Sequence, residues 1–232
     1  VTGASGGIGR CISLALAMEG SDVHLVGRSP DRLRLTADLC APFKHQVETT
    51  ICDLTDEQSI GRLGNEMAQR YGRVDVLVHC SGIIDHSNLE EAPIAILDEQ
   101  LSANVRGPLL LTQVILPLLK KPRGQIVFIN SSAGLRSARG RGHFAATQHA
   151  LRAIADTLRQ EVNDDIIRVL SVFPGRTATP RIEALFAKER RPYKPDSLLQ
   201  PEDVAAVVLN ALTLPWTAEV TDITIRPLLK TY

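Results

Sequence analysis

The 232-residue sequence predicts a doubly wound α/β fold, a parallel sheet with helices on both faces. Short apolar runs rich in Val and Ile alternate with helical patterns along the whole chain. Several of these runs lack polar–apolar alternation, as strands buried on both faces do. A third sign is the glycine-rich turn Gly3-Ala4-Ser5-Gly6-Gly7-Ile8-Gly9, which opens the first helical segment.

The expected strands are residues 22–26, 47–52, 74–79, 125–130, 167–172 and 221–225. Helical patterns fill the gaps. Residues 8–19 follow the glycine turn. Thr55-Asp56-Glu57-Gln58 has capping-box spacing and should open a helix that ends near Tyr71. In residues 144–162, Leu151, Ile154, Ala155, Leu158 and Val162 fall on one face. Pro201 suits the first turn of a final helix running to about Leu212. No repeat, linker or low-complexity tract divides the chain, so residues 1–232 read as a single domain. Val1-Thr2-Gly3 falls at a strand-to-turn junction, so the first strand is expected to be truncated.

Composition excludes several classes. Lys+Arg and Asp+Glu are both 26, so the formal charge is zero. A nucleic-acid binder or a polybasic membrane-surface protein would need a basic excess. No apolar stretch is long enough to cross a bilayer, and no signal peptide is visible. Cys11, Cys40, Cys52 and Cys80 lack C-x-x-C spacing and read as reduced core thiols of a cytoplasmic protein. The six histidines lack H-E-x-x-H spacing, so no metal site is expected.

The glycine turn carries chemistry. Gly3, Gly7 and Gly9 allow a tight turn and close approach of backbone to a phosphate, and the helix that starts there aims its N–H groups and dipole at the anion. Dinucleotide binding is the expectation, against the plainer reading of a strand–helix connector.

The spacing Thr2-Gly3-x-x-x-Gly7-x-Gly9 resembles the short-chain dehydrogenase/reductase family over nearly the whole chain. The resemblance implies a Rossmann-like, three-layer fold around a seven-stranded parallel sheet that binds NAD or NADP. It makes Gly3, Ser5, Gly7, Ile8 and Gly9 the cofactor cradle. In NAD-preferring relatives an acidic residue ends the second strand, whereas here Gly27 stands there and Arg28 follows. A guanidinium pairs with a 2′-phosphate that a carboxylate would repel, so NADP(H) is expected over NAD(H). Asp53 resembles the family's adenine-binding acid, and it could also help cap the helix at Thr55. His79-Cys80-Ser81-Gly82 stands where relatives have Asn-Asn-Ala-Gly, and Gly82 keeps the close approach to the cofactor. Asn104 resembles the family Asn that bends a helix and holds a relay water. Pro174-Gly175-Arg176-Thr177-Ala178-Thr179 resembles P-G-x-x-x-T, in which Thr177 and Thr179 would hold the nicotinamide carboxamide.

The departure lies at the catalytic centre. The family has a Ser thirteen positions before the Tyr of a Tyr-x-x-x-Lys pair. The Tyr exchanges a proton with the carbonyl oxygen, and the Lys holds the nicotinamide ribose. Here Ser131 is present, but Phe144 replaces the Tyr and Gln148 the Lys. Phe cannot relay a proton, and an uncharged amide cannot depress a neighbour's pKa, although Gln148 can still bond a ribose hydroxyl. General acid–base catalysis is worth about 10²–10⁴ in rate. Ordinary ketone and alcohol turnover should therefore be impaired, while cofactor binding survives. The alternative is a non-catalytic NADP(H)-binding pseudoenzyme acting as a sensor or as an inactive partner subunit.

His143 should point about 100° away from Phe144 around the helix, and His149 reads as a surface residue. His86 is the candidate substitute proton donor. Arg136, Arg139 and Arg141, with Arg176, Arg181, Arg190 and Arg191 near the expected substrate lid at residues 180–197, could attract an anionic small-molecule substrate. A solvated surface neutralised by Glu183, Glu189 and Asp196 is an equal reading. Relatives form dimers or tetramers through the helices matching residues 93–119 and 144–164, so a homodimer or homotetramer is expected.

Overall fold

A computed structural model describes residues 1–43 and 45–229. The chain runs α1 (Gly7–Met18), β1 (Val23–Gly27), α2 (Pro30–Cys40), β2 (Val47–Ile51), α3 (Glu57–Arg70), β3 (Val76–His79), α4 (Ile94–Leu101), α5 (Gly107–Lys120), β4 (Gln125–Ile129), α6 (Gly142–Glu161), β5 (Arg168–Pro174), α7 (Pro180–Lys188), α8 (Pro201–Leu212) and β6 (Asp222–Ile225). All strand pairs are parallel: β1 with β2, and β3 through β6 in chain order.

Val1 and Thr2 join the two groups. Thr2 bridges Val26 in parallel, the Val26 amide donates to the Val1 carbonyl at 2.9 Å, and the Thr2 amide donates to the Val78 carbonyl at 2.9 Å. The row is therefore β2–β1–(1–2)–β3–β4–β5–β6, a Rossmann-like doubly wound α/β fold. From the Val1–Thr2 position the chain winds first toward β2 and then, from β3, toward β6. The direction of winding switches beside Val1–Thr2, and such a switch opens a crevice at the carboxyl ends of the strands.

The sheet is covered on both faces, which explains the non-alternating strands. In β4, Ile126 and Phe128 pack with Leu111, Ile115, Leu151 and Leu158 of α5 and α6. Val127, between them, packs on the other face with Ile12 of α1 and Val204 and Val208 of α8. A third cluster seats α2, through Leu33 and Cys40, on Leu25 of β1. All four cysteines are free thiols. Among the described residues, no helix is long and apolar enough to cross a membrane.

The sequence did not signal α2 or α7. The N-terminus of α3 corrects the expected capping box. Its cap is Asp56, whose carboxylate accepts from the Gln58 and Ser59 amides at 3.0 and 3.2 Å. The Thr55 hydroxyl donates instead to Asp53 Oδ1 at 2.8 Å. A carboxylate is the stronger acceptor and also suits the positive end of the helix dipole.

Candidate active site

The glycine turn lies at the carboxyl ends of the strands, beside the switch. Gly3 has φ +65°, and a Cβ there would sit 2.7 Å from the Cys80 carbonyl oxygen. A Cβ on Gly9 would lie 2.4 Å from the Gly3 carbonyl oxygen, so α1 touches the turn backbone to backbone. The Thr2 hydroxyl accepts from the Cys80 and Ser81 amides and ties the loop after β3 to the same turn. Among the described residues no side chain caps α1, and nothing lies within 4 Å of a Cβ built on Gly6. The first-turn N–H groups thus face open space, the arrangement that binds phosphate. Because the atoms a Gly9 Cβ would meet are all backbone, Gly9→Ala is expected to cost about 1–3 kcal/mol. That corresponds to a melting temperature lower by roughly 2–12 °C. Thermal unfolding followed by circular dichroism checks this, and an unchanged midpoint would contradict the packing.

The turn opens into a cleft of about 620 Å³. That volume is ample for a dinucleotide-sized ligand. Three guanidiniums line one end: Arg28 after β1, Arg32 in the first turn of α2 and Arg181 in the first turn of α7. Among the described residues none of these three side chains forms a hydrogen bond or ion pair. Arg181 is enclosed by protein mass, and burial pulls its guanidinium below the ordinary arginine pKa, yet its surface is open. What lies against it is the cleft. Asp53 also lines this end. It accepts from the Thr55 amide at 2.9 Å, which holds its carboxyl below the ordinary range, with a smaller contribution from Arg28. Gly27 sits 3.3 Å (as a built Cβ) from Leu33, at the floor beside Ser5.

Ser131, Phe144, Gln148, Pro174, Gly175, Thr177 and Thr179 line the same cleft, with Thr179 against the glycine turn at Gly7. Phe144 and Gln148 are one turn apart on α6 and share a face. Gln148 is buried, and its side-chain amide donates to Thr147 Oγ1 at 3.3 Å. Ser131 follows β4, and its hydroxyl accepts from the Ala133 amide, which orients it at the start of a short 3₁₀ turn. Asn104 sits in a π turn, Ser102–Arg106, that joins α4 to α5. Its amide is fully engaged: Oδ1 accepts from the Ile83 amide at 2.7 Å, while Nδ2 donates to the Ile83 carbonyl and to Thr147 Oγ1. It thereby fixes the Gly82–Ile83 loop against α6. Thr177 donates to the Gly175 carbonyl, and Thr179 caps α7 by accepting from the Ile182 amide.

Beyond Phe144 lies a charged cluster. His86 Nδ1 is 2.7 Å from Glu189 Oε1, and Arg191 contacts the other carboxylate oxygen at 3.3 Å. The His86 and Phe144 ring centres are 6.1 Å apart. Burial lowers the His86 pKa despite the carboxylate. Burial alone would raise Glu189, but the bond from His86 and the charges of His86 and Arg176 leave it lowered. Arg141, Arg176 and Arg191 share this region, and burial and mutual repulsion lower Arg176. Arg136 and Arg139 stay on the exposed loop, and His149 is exposed.

All the cofactor residues expected from the sequence therefore line one cleft except Gly9, which packs behind the turn. Asn104, Ser131, Phe144 and Gln148 line it too. Arg32 and Arg181 were not assigned to the cofactor, although Arg32 lies only four residues beyond Arg28. Glu189 carried no signal as a histidine partner, being 103 residues from His86.

The match to known proteins has the same extent as this geometry. Residues 1–190 fit the family model for short chain dehydrogenase. An uncharacterized oxidoreductase of Staphylococcus aureus is 30% identical over 228 residues, covering 98% of this chain and 95% of that protein. Among solved structures, an alcohol dehydrogenase from the archaeon Thermococcus sibiricus, complexed with 5-hydroxy-NADP, superimposes with a TM-score of 0.90 at 28% identity, over 100% of this chain and 97% of that one. A short chain dehydrogenase from Shigella flexneri complexed with NADP gives 0.89 at 28% identity, over 97% and 94%. With the glycine turn at the switch point and a dinucleotide-sized cleft in front of it, the chain belongs to the short-chain dehydrogenase family of oxidoreductases, whose fold binds a nicotinamide cofactor.

Proposed function

We propose that this protein is an NADP(H)-binding oxidoreductase in which ordinary ketone and alcohol turnover is slow because the family's proton-transfer pair is missing. The cleft fits the group: the uncapped first turn of α1 and the open space at Gly6 suit a pyrophosphate, and three arginines face the same cleft. Bound there, a nicotinamide supplies or accepts a hydride. Arg28 and Arg32 would hold a 2′-phosphate, Arg181 the pyrophosphate, and Gln148 a ribose hydroxyl. The observation that carries the reading is Phe144 and Gln148 lining the cleft where the family resemblance places Tyr and Lys. Their side chains shape the space but cannot donate a proton to a substrate oxygen through a hydroxyl or ammonium. The cluster of Arg141, Arg176 and Arg191 favours an anionic carbonyl substrate over a neutral one.

Cofactor selectivity gives a direct test. A charge-assisted hydrogen bond is worth about 1.5–3 kcal/mol. Arg28→Ala is therefore expected to weaken NADPH binding about 10–100-fold while changing NADH binding less than about threefold. Titration of nicotinamide fluorescence measures both, and equal losses for the two cofactors would remove the 2′-phosphate role from Arg28.

A further inference from the structure

His86 and Glu189 are brought together by the fold behind Phe144, whose ring lines the cleft. Lys188 and Asp85 pair beside them, so two ionic contacts pin the loop after β3 to the end of α7. The His86 side chain is 10% exposed, and its Nδ1 is taken by Glu189. Among the described residues Nε2 has no hydrogen-bond partner and is not wholly sealed from water. The imidazole stands near the ring of Phe144, the residue that replaces the proton-donating Tyr. A carboxylate on one ring nitrogen fixes the tautomer and leaves the other free to exchange a proton.

We propose that the His86–Glu189 pair is the acid–base group of this active site, with Nε2 doing the work of the missing tyrosine hydroxyl. This rests on the oxidoreductase reading above. In the reducing direction the substrate carbonyl carbon accepts a hydride, with its electron pair, from a reduced nicotinamide. The C=O π electrons move to oxygen, and the Nε2–H bond of the imidazolium breaks to give that oxygen its proton. Neutral His86 keeps its Nδ1–H on Glu189 and is reprotonated from water through Nε2. Glu189 positions and polarises the ring without taking the proton.

The charged groups around the ring set the pH behaviour. Glu189, from the end of α7, favours the imidazolium. Burial opposes it most, followed by Arg141 before α6 and Arg176 after β5, while Asp85 gives Oδ2 to Lys188. The acid form is thus a minority at neutral pH, and ketone reduction should rise as pH falls from about 8 toward about 5.5.

The test is NADPH-dependent reduction of a panel of neutral and carboxylate-bearing ketones between about pH 5.5 and 8, with NADPH affinity measured separately by fluorescence. The expected result is a slow rate that climbs toward low pH, a loss of about 10²-fold or more in His86→Gln, and unchanged NADPH affinity. Glu189→Gln can still accept from Nδ1, and it is expected to move the acid limb to lower pH while retaining the rate reached at its acid limit. His149→Ala, on the exposed side of α6, should leave the profile unchanged. A profile that is flat and insensitive to His86→Gln would overturn the proposal, as would an enzyme that binds NADPH but turns over nothing at any pH. Failure of NADPH to bind would instead overturn the oxidoreductase reading beneath it.

Discussion

Phe144→Tyr combined with Gln148→Lys is expected to raise ketone reduction at about pH 7.5 by about 10²–10⁴-fold. The argument is geometric as well as chemical. The two positions are one helical turn apart on α6 and line the same cleft. The restored hydroxyl would extend from the ring edge, and the restored ammonium would stand close enough to favour its ionised form. The new ammonium would enter a buried position next to the Thr147 hydroxyl, so desolvating its charge offsets some of the gain. The double variant should also lose its dependence on His86, because the proton then comes from the new phenol. Steady-state rates for the parent, each single change and the double change check this. A parent already as fast as the double variant, or a double variant that gains nothing while binding NADPH normally, would show that the missing pair is not what limits turnover.

Acidification from about pH 7 to about pH 5 is expected to cost the fold about 2 kcal/mol through His79 alone. His79 is buried at the end of β3, stacks on Phe128 with ring centres 4.8 Å apart and pairs Nε2 with Thr112 Oγ1 at 2.9 Å. Its Nδ1 has no partner among the described residues. Burial pushes its pKa down to about 3. In the unfolded chain the same group titrates near about 6.5. Above about pH 7 both states are neutral and the group contributes no pH dependence. Between about 6.5 and 3 the unfolded chain binds a proton that the native state refuses, so stability falls as pH falls, by up to about 1.4 kcal/mol per pH unit. His24, lowered by burial to about 4, acts in the same direction. Melting temperatures at the two pH values should differ by roughly 4–8 °C from the His79 contribution. His79→Asn should reduce that difference while lowering stability at neutral pH through the lost ring stacking. Parallel pH curves for the parent and His79→Asn would contradict the burial of a neutral imidazole.

How much of this was legible in the chain depends on distance along it. The six strands were readable because both faces of the sheet are covered, so most strands had to be continuously apolar. The β6 residues 222–225 and β4 residues 125–129 fall within the expected runs. The start of α8 at Pro201 was readable for a local reason, since proline has no N–H to lose in a first turn. The cap of α3 was misread by one residue, because Thr55 and Asp56 both offer an oxygen and only the folded loop shows that Asp53 takes the threonine hydroxyl. The α2 helix was missed because exposed Leu35 and Leu39 and buried Thr36 blur its apolar period, and its seating on β1 depends on Leu33 and Cys40 meeting Leu25.

By itself the sequence determined the alternation of strands with helices, the glycine turn, and the phenyl ring and uncharged amide at positions 144 and 148. Those features depend on residue type and short spacing, which local sterics and periodicity express directly. The tertiary structure alone decided which charges meet. It gathered Arg28, Arg32 and Arg181 into one cleft and separated Arg141, Arg176 and Arg191 into another group, and it set a carboxylate from residue 189 against the imidazole of residue 86. Electrostatic partnership requires closeness in space, and in a doubly wound fold the residues closest at the strand ends come from loops far apart along the chain.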